Sequence, residues 1–335
     1  KQSTLYLFLD EIQNVINWQK WARRIHETKK NFKIIITGSS AKLLSRELAT
    51  ELRGRVLTKE IYPLSFIEYL EWQGVNYNPK TIAYSEQQIE IKRYFNKWLQ
   101  DGGYPAVILN PRALRDQILQ QYFDNMLLND VVERYNIKNV SRLRVMVSLL
   151  FESVGRDFSF SKPAAKLQAL GHKISKNTVV EHVGYLHDAY LFFQNIKFEY
   201  SITKQLGAIK KNYCIDNGLL NAVSFKFSDD IGRLLENAVF LEFKRRGQEI
   251  FYHRGDRECD FVIKKKNKIV EVLQITKEIN SDNEEREING LTDALDAYKL
   301  KKGYILTLEQ RENRKIKDKT IHVLPVWQWL LNIDL

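Results

Sequence analysis

Apolar positions along the chain come in two kinds of stretch, unbroken runs and helically spaced sets. Leu5-Tyr6-Leu7-Phe8-Leu9 is an unbroken run ending at Asp10-Glu11, and Lys33-Ile34-Ile35-Ile36 is a second that ends in Thr37-Gly38-Ser39-Ser40. Runs of this length suit strands buried on both faces of a parallel sheet. Between them Ile12, Val15, Ile16, Trp21 and Ile25 recur at roughly helical spacing. Strand, helix, strand predicts a βαβ unit with a right-handed crossover. Ligands of such sheets gather at the carboxyl ends of the strands, where Asp10-Glu11 and Thr37-Gly38-Ser39-Ser40 both fall.

From Ser45 to about Tyr135 the spacing is mainly helical, punctuated by Pro63, Pro79, Pro105, Pro111 and the turn Asp101-Gly102-Gly103-Tyr104-Pro105. A new pattern begins near Val140. Ser161 to Leu170 predicts a short helix stopped by Gly171, and Ser175 can cap a second helix from Lys176, with Val179, Val183, Leu186 and Tyr190 facing inward. Leu191 to Phe198 and Lys211 to Ile215 read as two strands around a polar tip. Helix, turn, helix and hairpin in this order outline a winged helix. A core helix over Arg233 to Arg246 follows, then strands over Glu249 to Tyr252, Cys259 to Lys264 and Lys268 to Ile275. An amphipathic helix (Ile288 to Tyr298), a strand (Gly303 to Thr307), a charged loop and a closing strand and helix complete an α/β unit. No internal repeat or low-complexity segment is present. The expectation is a multidomain α/β and α+β chain, divided at 1–70, 71–139, 140–215 and 216–335.

Composition narrows the classes. The 335 residues are 44% apolar and 28% charged, enough for a packed core. The 52 Lys+Arg exceed the 41 Asp+Glu by 11, a surplus that permits an anionic partner, nucleic acid above all. Two distant cysteines, Cys214 and Cys259, exclude a disulfide framework and a cysteine-rich zinc site, which fits a reducing cytoplasm. No apolar run approaches membrane-spanning length. The chain opens at Lys1, directly before a strand, and reads as a piece of something longer.

Three constellations carry candidate chemistry. An apolar strand ending in Asp-Glu has the Walker B pattern, in which one carboxylate holds Mg²⁺ and its neighbour polarises the attacking water. Leu9-Asp10-Glu11-Ile12-Gln13, Thr37-Gly38-Ser39-Ser40, Leu52-Arg53-Gly54-Arg55 and Tyr62-Pro63-Leu64-Ser65-Phe66-Ile67-Glu68-Tyr69-Leu70 occur in the order found in a prokaryotic family of AAA+-like P-loop ATPases, which the chain resembles over nearly its whole length. The resemblance implies a partial AAA+ parallel-sheet domain with a helical lid, a winged helix and a restriction-endonuclease-like α/β domain. It also implies Asp10 as the metal-side carboxylate, Glu11 as the catalytic one, Ser39 or Ser40 as the γ-phosphate sensor, and Arg53 and Arg55 as phosphate contacts. ATP and Mg²⁺ would be the cofactors of the intact enzyme, and ring-type oligomers are common among AAA+ relatives. One departure is large, because G-x-x-x-x-G-K-[ST] occurs nowhere in the sequence. That loop supplies the backbone N–H cradle for the phosphates and the lysine that meets them. These 335 residues are therefore expected not to bind ATP productively.

The second constellation is basic. Lys176, Asn177 and Thr178 open the second helix of the winged-helix outline and could meet DNA phosphates and base edges, with Glu181, His182 and Tyr185 further along that face. Lys210 and Lys211 would sit on the wing, and Lys264, Lys265 and Lys266 form a basic turn in the last module. The third is acidic. Glu236, Asp260 and Glu271 resemble the PD-(D/E)XK nuclease pattern, in which carboxylates hold Mg²⁺ and a lysine two residues beyond the last one activates water. Position 273 is Leu, and Gln274 points to the opposite face from Glu271 unless a bulge intervenes. Three readings stay open: an ATPase coupled to DNA, a non-catalytic DNA- or protein-binding module, and a metal-dependent nuclease. His182 and His187, five apart, and the aromatic residues read as packing.

Overall fold

The computed structural model describes residues 3–12, 15–28, 31–39, 56–82, 85–224 and 230–333, so Ser40 and the Leu52-Arg53-Gly54-Arg55 segment lie outside the described residues. β1 (Leu5–Leu9) and β2 (Phe32–Ile36) pair in parallel, Leu7 opposite Ile34, with a helix over Trp18–Thr28 between them. The strands match the expectation, but their burial does not. Phe8 is 71% exposed, and Tyr6 and Leu5 are also exposed. The helix begins at Trp18 rather than near Ile12, because Asn17 adopts a left-handed φ of 60° and breaks the run. Val15 and Ile16 are left in solvent, and a small apolar cluster of Ile12, Trp18 and Ala22 forms instead.

The helical region is Phe66–Trp72, Gln87–Asp101, Pro105–Leu109, Arg115–Asn125 and Val140–Glu152, with a π-helical stretch over Met126–Glu133. Phe66–Trp72 starts in a capping box: Ser65 Oγ accepts from the Glu68 N–H, and the Glu68 carboxylate accepts from the Ser65 N–H. Pro105 stands in the first turn of its helix, where no partner for an N–H is needed.

A three-stranded antiparallel sheet follows in the order β3 (Asp157–Phe158), β5 (Lys210–Cys214), β4 (Phe192–Ile196). Its helices are Ser161–Ala169 and Lys176–Asp188, the latter capped as expected by Ser175. Between β4 and β5 stands a short helix, Ile202–Gly207, rather than a bare polar tip.

The last sheet has six strands in the order β10 (Glu312–Ile316), β11 (Lys319–Pro325), β9 (Lys302–Thr307), β8 (Lys268–Ile275), β7 (Glu258–Lys265), β6 (Glu249–Arg254). Helices over Ile231–Arg245, Glu284–Ala297 and Val326–Leu330 pack on it. The stretch read as a charged loop contains β10, a polar edge strand, and charged edge strands resist pairing with other chains.

One hydrophobic cluster runs from Phe66 to Ile333 and takes in the helical region, the small sheet and the large one. The joints between them are polar. Asp216 caps the Asn217–Val223 helix by accepting from the Leu219 N–H at 3.0 Å, and its other oxygen accepts from the Gly103 N–H at 2.7 Å. Arg245 donates to the Pro63 carbonyl at 2.9 Å. At this joint Gly218 lies so close to the Asp101 carbonyl that a Cβ would collide with backbone. Gly218→Ala is therefore expected to lower stability by about 2 kcal/mol or more in urea unfolding, the range of an overpacked core.

Candidate functional site

β5 carries Lys211 out of the small sheet and into the end of the large one, where it is 2% exposed. Its Nζ donates to Asp260 Oδ1 at 2.9 Å and stands 2.7 Å from Glu258 Oε1 and 3.4 Å from Glu236 Oε1. Glu236 comes from the Ile231–Arg245 helix, and Glu258 and Asp260 from the start of β7. These groups line a cavity of about 380 Å³, shared with Arg257, Gln274, Arg286 and Glu287.

The inner polar groups are bonded to one another and to the backbone. Asp260 Oδ2 accepts from the Ile275 N–H at 2.9 Å, and the Asp260 N–H donates to Gln274 Oε1 at 3.2 Å. Gln274 Nε2 donates to Glu287 at 2.7 Å, and the Tyr213 hydroxyl donates to Glu236 Oε1 at 2.7 Å. Arg254 ties Glu258 to Asp157. Burial opposes charge on Lys211, but Asp260, Glu236, Tyr213 and Glu258 outweigh it and hold the ammonium well above its ordinary pKa. Burial, reinforced by Asp260, raises Glu236 to about 7 against the pull of Lys211.

The pleat decides which sequence candidates meet. Residues 271 and 274 of β8 face opposite sides, and it is Gln274 that reaches Asp260, whereas Glu271 lies outside the cavity in the field of Arg246. The pairing of Asp260 with Glu271 as metal ligands is thereby corrected. Two residues beyond Gln274 stands Thr276, whose hydroxyl donates to the Glu278 carbonyl, so the strand supplies no lysine. The ammonium arrives instead from β5. The expectation of Lys211 on an exposed wing is corrected for the same reason: three carboxylates draw it inward. Lys210 is half-buried over the Phe160 ring, 5.1 Å from its centroid, and bonded to Gln194. Among the described residues no group of three His, Cys, Asp or Glu is arranged to hold a metal ion. In the cavity the single Lys211 ammonium stands among three carboxyl groups, those of Asp260, Glu258 and Glu236.

A second site lies at the carboxyl edge of β1 and β2. Thr37 donates to Asp10, and the Glu11 N–H donates to Thr37 Oγ1 at 3.4 Å, with Glu11 at a left-handed φ of 47°. Ser39 Oγ donates to Asp130 Oδ1 at 2.8 Å and accepts from Arg134 at 3.0 Å. Asp130 belongs to the π-helical stretch and Arg134 follows it; π-bulges are frequent at functional sites. Asp130 is raised from its ordinary pKa by burial, with Glu11 adding to the effect. Neither Asp130 nor Arg134 is legible in the sequence, because only the fold brings them to Ser39.

On the helix over Lys176–Asp188, Lys176 and Asn177 are exposed, while Thr178 is half-buried in the cap with Ser175. Farther along, His182 is buried and Tyr185 stacks on Tyr135 at 3.8 Å, so that part of the expected DNA-reading face packs on the helical region. Lys265 and Lys266 are exposed at the β7–β8 turn, and Lys264 pairs with Glu249 at 2.7 Å.

Residues 1–70 match the model of an AAA domain. Residues 92–230 and 231–329 match two domains of unknown function, DUF8612 and DUF4143. An uncharacterized protein of Methanocaldococcus jannaschii is 38% identical over 98% of this chain and 75% of its own length. An uncharacterized protein of Haemophilus influenzae is 31% identical over 98% of this chain and 78% of its own length. The chain belongs to their family. That family is AAA-ATPase-related over residues 1–70 of this chain, the stretch that holds Asp10, Glu11, Thr37 and Ser39. A second M. jannaschii protein is 27% identical over 78% of this chain.

Removing the Lys211 charge leaves the buried Asp260 and Glu236 without their cation, while Glu258 keeps Arg254. Lys211→Met is expected to cost about 3–5 kcal/mol in chemical denaturation, and adding Asp260→Asn to recover part of it. Glu236 binds its proton more tightly folded than unfolded, so its contribution is greatest below its ordinary pKa and falls as pH rises through about 7. Glu236→Gln should flatten that decline in melting temperature over this window.

Proposed function

We propose that the protein is an ATP-hydrolysing switch whose nucleotide centre is the carboxyl edge of β1 and β2 and whose later modules handle nucleic acid. The observation that carries this reading is the pairing of Asp10 with Thr37 across two parallel strands, beside Ser39 held by Asp130 and Arg134. Magnesium, arriving with the nucleotide, would shield phosphate charge there, with Asp10 on its side of the site. Glu11 is positioned by its backbone bond to Thr37 and polarises the attacking water. A γ-phosphate beside Ser39 competes with Asp130 for Arg134, and losing that phosphate returns the guanidinium to the carboxylate. Tyr135, next to Arg134, stacks on Tyr185 and donates to Asp188, so the change has a packed route into the Lys176–Asp188 helix. Arg53, Arg55 and Ser40 are candidates for further phosphate contacts.

The helix and strand order around the three-stranded sheet supports a winged helix, with Lys176 and Asn177 at its exposed corner. The Lys211 cavity is read as a nuclease-like site that does not cleave. Gln274 takes a carboxylate's place, and an ammonium lies where the reaction would need a cation. Oligomers and a protein partner are compatible with this scheme.

The 335 residues contain no phosphate-cradling loop, so titrating them with ATP should give no micromolar binding. The complete gene product should hydrolyse ATP, and Glu11→Gln should lower kcat by about 100-fold or more while ATP binding persists. Micromolar binding by these residues alone, or turnover untouched by Glu11→Gln, overturns the assignment. Mg²⁺-dependent DNA cleavage that disappears in Asp260→Ala would overturn the inactive reading of the cavity.

A further inference from the structure

Three lysine-rich loops, distant in sequence, meet at one end of the six-stranded sheet. The first is the β7–β8 turn, Lys264-Lys265-Lys266-Asn267-Lys268. β9 runs parallel to β8, with Leu273 opposite Tyr304, so the lead-in Lys299-Leu300-Lys301-Lys302 lies at the same end. β11 runs parallel to β9, with Thr320 opposite Lys302, which brings the β10–β11 turn, Lys315-Ile316-Lys317-Asp318-Lys319, into the same row.

Charge on this rim is not cancelled. Lys264 is answered by Glu249, and Lys319 by Asp296 and Asp318. Lys265, Lys266 and Lys268 on the first loop are exposed, as are Lys299, Lys301 and Lys302 on the second and Lys315 and Lys317 on the third. None of these has an ion-pair partner among the described residues. Each loop also places a lysine at a left-handed position: Lys266 at φ 57°, Lys299 at 56° and Lys317 at 55°. That conformation favours glycine or asparagine, so the backbone would accept a smaller residue more easily at all three.

We propose that this rim holds the phosphate backbone of a nucleic-acid duplex without reading its sequence. Adjacent strands are about 4.8 Å apart, so five strand ends, β7 to β10, make a row of roughly 19 Å. At about 3.4 Å of helix axis per phosphate on one strand, the row spans roughly five phosphates. The loops hold no aromatic residue for stacking on single-stranded bases and no arginine for bidentate base contacts. Their Leu300 and Ile316 pack inward, leaving nothing apolar to enter a bilayer. β7 runs from the Asp260 cavity to this rim, so the duplex sits about 17 Å from the cavity at 3.3 Å per residue. This assignment rests on the nucleic-acid half of the function proposed above and not on the nucleotide site.

The test is fluorescence anisotropy of the whole 335-residue chain with a labelled duplex DNA of about 20 base pairs, across about 50 to 200 mM salt. The triple variant Lys266→Gly, Lys299→Gly, Lys317→Gly removes charge where glycine suits the backbone, so its melting temperature should hold or rise. Its affinity should fall at least about tenfold at the lowest salt, and its log–log salt slope should shrink by up to about 2.7, near 0.9 per lysine. Lys97→Gln, an exposed lysine on the Gln87–Asp101 helix, should bind as the wild type does. Wild-type affinity in the triple variant, with loss in Lys176→Gln, would overturn the rim and leave nucleic-acid binding intact. Retention on phosphatidylserine vesicles without duplex binding would overturn it in favour of a membrane. No duplex binding at the lowest salt would overturn both the rim and the nucleic-acid half of the function, while the ATP hydrolysis experiment would stand apart.

Discussion

A single ammonium at the junction of two sheets sets the terms for the C-terminal half of this protein. Lys211 leaves β5 and ends within hydrogen-bonding distance of Asp260, with Glu236 and Glu258 beside it. A lone buried charge of either sign would cost several kcal/mol, and the cluster exists only because the two sheets are docked. The docking has other polar ties, including the Phe198 N–H donating to the Tyr252 carbonyl and Tyr252 donating to the Ile209 carbonyl. None of these is as expensive to open. The same cluster shapes the chemistry, since a divalent cation would have to compete with the Lys211 ammonium for the Asp260, Glu258 and Glu236 oxygens.

The N-terminal site is built on a different economy. Its groups are exposed or half-buried and bonded in a short chain from Asp10 through Thr37, and from Ser39 to Asp130 and Arg134. Such bonds exchange readily with water or a ligand, as the proposed switch requires. In the proposed switch Arg134 would be the relay. It touches the strand edge on one side, while its neighbour Tyr135 is stacked and bonded to the Lys176–Asp188 helix on the other. The two ends of the large sheet divide labour similarly, with a compensated cavity where β7 starts and an uncompensated lysine row where it ends.

Much of the secondary structure was legible because periodicity and capping are local. Ser175 caps the helix that starts at Lys176, and β8 spans Lys268–Ile275 as read. The helix at Trp18 was misplaced because apolar spacing alone does not reveal a left-handed Asn17. Burial of β1 and β2 on both faces was inferred from unbroken apolar runs, whereas burial depends on what packs against a strand. In the acidic site, the rule that residues three apart on a strand face opposite sides already separated Glu271 from Gln274. Which of the two faces Asp260 needed the neighbouring strand and the Glu284–Ala297 helix, whose Glu287 receives Gln274.

The sequence by itself determined the order of elements, the carboxylates and hydroxyls at the strand ends, and the surplus of positive charge. These depend on residue type and on separations of a few residues. Tertiary structure alone decided that Lys211 belongs to Asp260 rather than to a wing, that Asp130 and Arg134 belong to Ser39, and that three lysine loops form one row. Each of those pairings joins residues far apart in the chain. Their proximity follows from strand direction and register, through which a lysine at one end of a strand and an aspartate at the other come to serve different partners.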